Sequence, residues 1–130
     1  MLNIRIKAVP HRFQQYDTAG NYWWDVGENC GEILEIRVSR MRDRRYEFLL
    51  ALHELIEAFL CDRRGIAFSE ITRFDVEYER GRRKGKPLEP GESREAPYRR
   101  EHRFAESIER LVARELGVEW RKYNRAVERL

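Results

Sequence analysis

The stretch LLALHELIEAFLC, Leu49 to Cys61, sets His53, Glu54 and Glu57 among residues that are otherwise apolar. Burying a carboxylate without a partner is costly, so these three groups must be paired, protonated or bound to a metal. On a helix turning about 100° per residue, His53 and Glu57 stand about 40° apart, one turn along the same face. Two side chains so placed can chelate one ion. Glu54 lies about 60° round from Glu57, close enough to reach a water held by the ion rather than the ion itself. The competing account is a buried ion-pair network, in which Glu54 and Glu57 meet some of the many arginines and His53 is a hydrogen-bonded core histidine.

A catalytic metal site needs a third protein ligand, and YRREHRFAESIERLVAREL offers candidates. With Phe104, Ile108, Leu111 and Val112 taken as the buried stripe of that segment, Glu101 falls near the middle of the stripe and His102 on its edge. His102 would complete a His, Glu, His set, the composition of several catalytic zinc sites, with a fourth position left for water. It is preferred to Glu101, which could instead be the ligand or could orient a histidine. Asp75 interrupts an apolar position in RFDVEYE and is a candidate carboxylate behind a ligand. His102 and Glu106 share a helical face, so a two-metal site of His53, Glu57, His102 and Glu106 is a variant of this reading. Cys61 would lie about 12 Å from His53 along the helix axis and is expected in the core.

The elements that must carry these residues follow from periodicity. NIRIKAV alternates apolar and charged residues as a strand does, and Pro10 ends it. NYWWDV and EILEIRV read as two more strands, joined by a turn containing Gly27, Asn29 and Gly31. From about residue 45 to 62 the composition is that of a helix, apolar nearly all round and stopped by Gly65. ITRFDVEYE, 71–79, alternates and reads as a fourth strand. Residues 80–97 are rich in Gly, Pro and charge and read as a long, exposed, mobile loop. Its basic run, Arg82, Arg83, Lys84 and Lys86, has no interleaved aromatic residues on which bases could stack. Two helices follow, at about 98–116, ended by Gly117, and 119–129. The expected architecture is α+β in a single domain, 1–130: a small antiparallel sheet of about four strands, its first three within 1–40, packed against two long helices and a short C-terminal one.

Composition limits the function. The chain has 130 residues, enough for one core, and 38% of them are charged, yet the net charge is only +3. Near balance of this kind argues against a dedicated nucleic-acid binder, and arginines interleaved with glutamates indicate solvated helix faces. Cys30 and Cys61 stand far apart, and no run of 18 apolar residues or N-terminal apolar segment appears. These features lead to the expectation of a cytoplasmic protein with reduced thiols and no membrane span.

Taken together, YDTAGNYWWD, IRVSRMRDRRYEFLLALHELIEAFLC, RFDVEYE and EPGESREAPYRREHRFAESIERLVARELGVEW resemble a family of small phage and bacterial proteins. That resemblance covers Tyr16 to Trp120 and implies no particular activity. HELIE by itself resembles the HExxH motif of zincin metallopeptidases. It implies that His53 and Glu57 are zinc ligands and Glu54 the catalytic glutamate, acting on a peptide or protein substrate. Glu57 stands where that motif has histidine, and its negative charge would reduce the Lewis acidity of the ion. The chain is also similar to all-α nucleotide pyrophosphohydrolases in its ExxE pairs, Glu54 with Glu57 and Glu106 with Glu109, which in those enzymes hold magnesium. The readings carried forward are a zinc-binding hydrolase of peptide or amide bonds, a non-enzymatic phage accessory or interaction domain, and a magnesium-dependent pyrophosphohydrolase.

Overall fold

Leu34, Ile36 and Val38 alternate along β3 (Glu32–Ser39) and are all buried, which makes this strand the centre of the sheet. The computed structural model describes residues 1–82, 85–87 and 89–130. In it β3 lies between β1 (Leu2–Val9) and β2 (Gly20–Val26), in the order β1-β3-β2. β2 and β3 form an antiparallel hairpin with Tyr22 opposite Ile36, and Asn29 and Cys30 take positive φ in the turn. β1 pairs with β3 in parallel, Ile4 beside Leu34.

One face of this sheet is covered by α1 (Arg44–Arg63), which begins where Asp43 accepts a hydrogen bond from the backbone N–H of Arg45. It ends at Gly65, whose φ of 74° lets Ile66 N–H reach back to the Cys61 carbonyl at 2.9 Å. α2 (Phe68–Gly81) follows, and a short 3-10 turn at Pro90–Glu92 precedes α3 (Arg99–Glu115). α3 closes in the same way as α1, with Gly117 at φ 67° and Val118 N–H on the Ala113 carbonyl. α4 (Trp120–Glu128) then packs Tyr123 against Tyr46 of α1. None of these helices is long and apolar enough to cross a membrane.

The expected α+β class and the three early strands are present, with three corrections. The sheet of the described residues has three strands and is mixed. Ten residues, 10–19, separate β1 from β2, enough chain for β2 to pass over and pair on the far side of β3. Residues 71–79 belong to helix α2, not to a strand. Their period-two alternation coincides with a helical stripe, Ile71, Phe74, Asp75 and Tyr78, in which Asp75 is the buried acid that breaks the apolar pattern. Residues 80–97 are not exposed throughout: Gly91, Ser93 and Ala96 are buried against the helices. Arg83 and Lys84 of the basic run lie outside the described residues.

The buried face of α3 is also rotated from the expected one. Glu101, His102, Ala105, Glu109 and Ala113 face inward, while Phe104 and Leu111 are more than half exposed. Ala105 of α3 is fully buried on that face, where α3 packs against α1, and its small side chain takes little room there. Ala105→Leu is therefore expected to cost about 1–3 kcal/mol by overpacking, read as a lower Tm. Phe104→Ala should change stability by less than about 0.5 kcal/mol. Equal losses in the two variants would contradict the assigned face.

Candidate metal centre

His53 and Glu57 leave the same face of α1 one turn apart, and His102 and Glu109 leave the facing side of α3 two turns apart. All four are between 4% and 8% exposed. Three of their atoms converge. Nε2 of His53, Nδ1 of His102 and Oε2 of Glu57 are each 3.1 Å from the other two. Donors about 2.05 Å from a tetrahedral ion stand roughly 3.3 Å apart, so this triangle has the size of three ligand positions around zinc. The other nitrogen of each histidine faces carboxylates. Nδ1 of His53 donates to Glu109 at 2.7 Å, and Nε2 of His102 lies 3.0 Å from Glu89 and 3.3 Å from Glu92.

Electrostatics makes the same arrangement unusual. Burial pushes both imidazoles toward the neutral form, but the surrounding carboxylates outweigh it. Glu109 and Glu57 raise His53 well above its ordinary value, and Glu57 and Glu89 raise His102 to about 10. Burial would likewise raise Glu57, yet hydrogen bonds from His102 and His53 hold it down to about 2. The carboxylates thus draw positive charge into the cluster. Two imidazoliums supply it badly, because the N–H of His53 Nε2 and that of His102 Nδ1 would face each other across 3.1 Å. One cation between three lone pairs supplies it without that conflict.

The triangle opens on a cavity of about 430 Å³, also lined by Glu54, Asp75, Glu106, Tyr16 and Tyr98. Burial, and then the charge of Glu57, push the Glu54 carboxyl up to about 8. Its carboxylate lies against Gly20, where a Cβ would stand 2.6 Å from Oε1. Asp75 accepts hydrogen bonds from Tyr16, at 3.0 Å, and from Tyr98, whose ring packs edge-on against His102. Burial lifts Asp75 to about 7, since the two phenol bonds pull it down only in part. Glu109 is held from behind by the Tyr123 hydroxyl of α4.

The structure therefore brings together His53, Glu57 and His102, and sets Glu54 on the wall beside them. Glu101 is directed elsewhere, with Arg64 3.4 Å from it. Asp75 touches no histidine directly and acts through Tyr98. Glu106 borders the cavity with Arg110 at 3.8 Å, and burial together with the charge of Glu92 raises it. Glu109 as the partner of His53 was missed. A sequence signal for it exists, since Glu101, Ala105, Glu109 and Ala113 recur every four residues, an acid and alanine stripe suited to a close helix crossing. Glu89, Glu92, Tyr16, Tyr98 and His11 were missed too. His11 holds Ser39 and Asp17, each at 2.8 Å, and so pins the segment that carries Tyr16.

Compared with family models, curated proteins and solved structures, the chain matches none. The function has to be argued from the chemistry of the site.

Gly91 offers a local test of that geometry. A Cβ there would stand 2.5 Å from Cγ of His102. Gly91→Ala is expected to displace the ring, seen as changed imidazole nitrogen shifts of His102 in NMR, while the far-UV spectrum of the helices is retained. Unchanged His102 shifts would show that the segment does not hold the ring.

Proposed function

We propose that the protein is a zinc-dependent hydrolase of peptide or amide bonds, with His53, Glu57 and His102 as the metal ligands and Glu54 as the general base. The observation that carries this reading is the convergence of two imidazole nitrogens and one carboxylate oxygen at mutual distances of 3.1 Å in a buried place. Two nitrogens and one oxygen suit zinc better than magnesium, which takes oxygen ligands and keeps its waters. The ExxE pairs support magnesium less well, because Glu57 and Glu109 are both engaged by histidines and Glu106 stands near Arg110. The Glu109 carboxylate behind His53 also fits a metal centre, where such a partner fixes ring orientation and raises ligand basicity.

Bound zinc would acidify a water in its open position and polarise a carbonyl. The chain's own groups do the rest. Glu57 remains an anion at every ordinary pH, and Glu109 keeps the proton of His53 on Nδ1, leaving Nε2 free to bind. Glu54 accepts a proton at its carboxylate and returns it to the leaving amine. Gly20 leaves room for that carboxylate, and the cavity admits a small segment of substrate.

Protein purified without a histidine tag should hold at least one zinc per chain, and His53→Ala should lose that ion. Glu109→Gln should weaken zinc about 10–100-fold. Glu54→Gln should keep the metal and lower hydrolysis of a peptide library by about 10²–10⁴. Protein that binds no metal, keeps its Tm in chelator and loses stability on Glu57→Ala would establish the buried ion-pair network instead.

The pH dependence has a definite sign. His102 keeps a proton up to about 10 in the ion-free site, so an ion must expel it. Zinc affinity measured by competition with a chromophoric chelator should rise between about pH 6 and pH 8, by up to about tenfold per pH unit for each proton released. A flat profile would mean that neither histidine is a ligand.

A further inference from the structure

We propose that Glu89, Glu92 and Nε2 of His102 form a second, outer cation site, so that the His102 ring bridges two divalent ions. Oε2 of Glu89 and Oε1 of Glu92 lie 3.0 and 3.3 Å from that nitrogen, and each of the three residues has a ligand atom within 4.8 Å of one from each of the others. Acidic side chains near a histidine are common, and the cluster alone would indicate little. A second observation separates this one. Among the described residues, Nε2 of His102 is buried without an aligned hydrogen-bond partner, in a residue 6% exposed, and Oε1 of Glu92 is buried without a hydrogen-bond partner as well. Two orphaned polar atoms thus face each other, in a place where leaving either unsatisfied is costly.

A proton on Nε2 is drawn by both carboxylates but aligned with neither, so it satisfies the place only in part. Both carboxylates stand at ion-pair distance from the ring nitrogen, yet neither lies along its N–H direction. Oxygens placed beside that axis are poor hydrogen-bond acceptors but suitable ligands for an ion on it. Gly91, between the two glutamates, is in contact with the His102 ring and has no side chain to fill the space.

The two sites differ in access. The inner ligands have side chains 6–10% exposed, whereas those of Glu89 and Glu92 are 47% and 32% exposed, so the outer site is on the solvent side of His102. With bonds of about 2 Å from each ring nitrogen, the two ions would stand roughly 6 Å apart. The outer ion takes the place of the Nε2 proton, which passes to solvent. The Glu106 carboxylate borders the same cavity and adds negative charge without being one of the three donors. This inference does not require the inner site to be catalytic.

Full-length, tag-free protein stripped of metal and titrated with zinc alone tests it. The native chain should bind two equivalents, and the double variant Glu89→Gln/Glu92→Gln, altered at solvent-accessible side chains, should bind one. With copper(II) as the probe, the doubly loaded native chain should show much less than two spins of EPR intensity, because a shared imidazolate couples the ions. The double variant should show one full spin. Equal stoichiometry in native and double-variant protein, with the ion lost in His53→Ala, would overturn the outer site and leave the inner one standing. An ion kept in His53→Ala but lost in the double variant would support the outer site and overturn both the inner one and the bridge. Two fully uncoupled copper spins would overturn the bridge, and no bound ion at all would overturn both sites.

Discussion

Nδ1 of His53 and Oε2 of Glu109 meet 2.7 Å apart between α1 and α3, in a place that water scarcely reaches. A charged bond so placed is stable only if the remaining lone pairs and protons also find partners. Much of the fold can be understood from that requirement. The second oxygen of Glu109 accepts from Tyr123, so α4 must return across α1, and the Tyr123 ring is held there by Tyr46 and Trp120. The second nitrogen of His53 faces Glu57 and His102, so α3 must run close along α1. The far side of His102 faces Glu89 and Glu92, so residues 89–97 must fold inward.

Close approach then restricts the residues around the cluster. Ala105, a small side chain on the buried face of α3, leaves room for a histidine of α1 to reach a glutamate of α3. Gly20 and Gly91 occupy positions where a single methyl group would collide with Glu54 or with His102. Residues 10–19 contribute differently. His11 and Gln14 both bond the Ser39 hydroxyl, which fixes this segment against the end of β3 and delivers Tyr16 to Asp75. An aromatic shell of Tyr16, Tyr98 and Tyr123 results, each ring presenting its hydroxyl to a buried carboxylate. Phenols suit that position because they donate a hydrogen bond without bringing a second charge.

What could be read from the chain beforehand was local. The helix carrying His53 and Glu57, its stop at Gly65 and the stop of α3 at Gly117 follow from short-range rules, and the structure shows each of them. Residues 71–79 were misread because Phe74, Val76 and Tyr78 alternate with acids, while the helical stripe through the same segment includes Asp75. A buried aspartate looks polar until its two tyrosine partners are known, and those lie 59 and 23 residues away. Glu109 was obscured by the same effect. Apolar side chains ordinarily mark the inner face of a helix, whereas this face of α3 is inward with the charges that it pairs. The parallel pairing of β1 depends on a ten-residue connection whose course no local pattern specifies.

Glu54 and Glu57 are three residues apart on one helix, and their surroundings drive them in opposite directions. Burial would raise Glu57, but hydrogen bonds from two histidines hold it down to about 2, which favours its anion. Glu54 has no such donors and lies against Gly20, and burial, then the charge of Glu57, push it up to about 8. Under the proposed function, environments that separate two neighbouring carboxyls in this way would divide the roles of ligand and proton carrier between them. The separation would also link those roles. After burial, the largest cause of the Glu54 shift is the charge of Glu57, so a cation bound to Glu57 would remove that repulsion and release the Glu54 proton at lower pH.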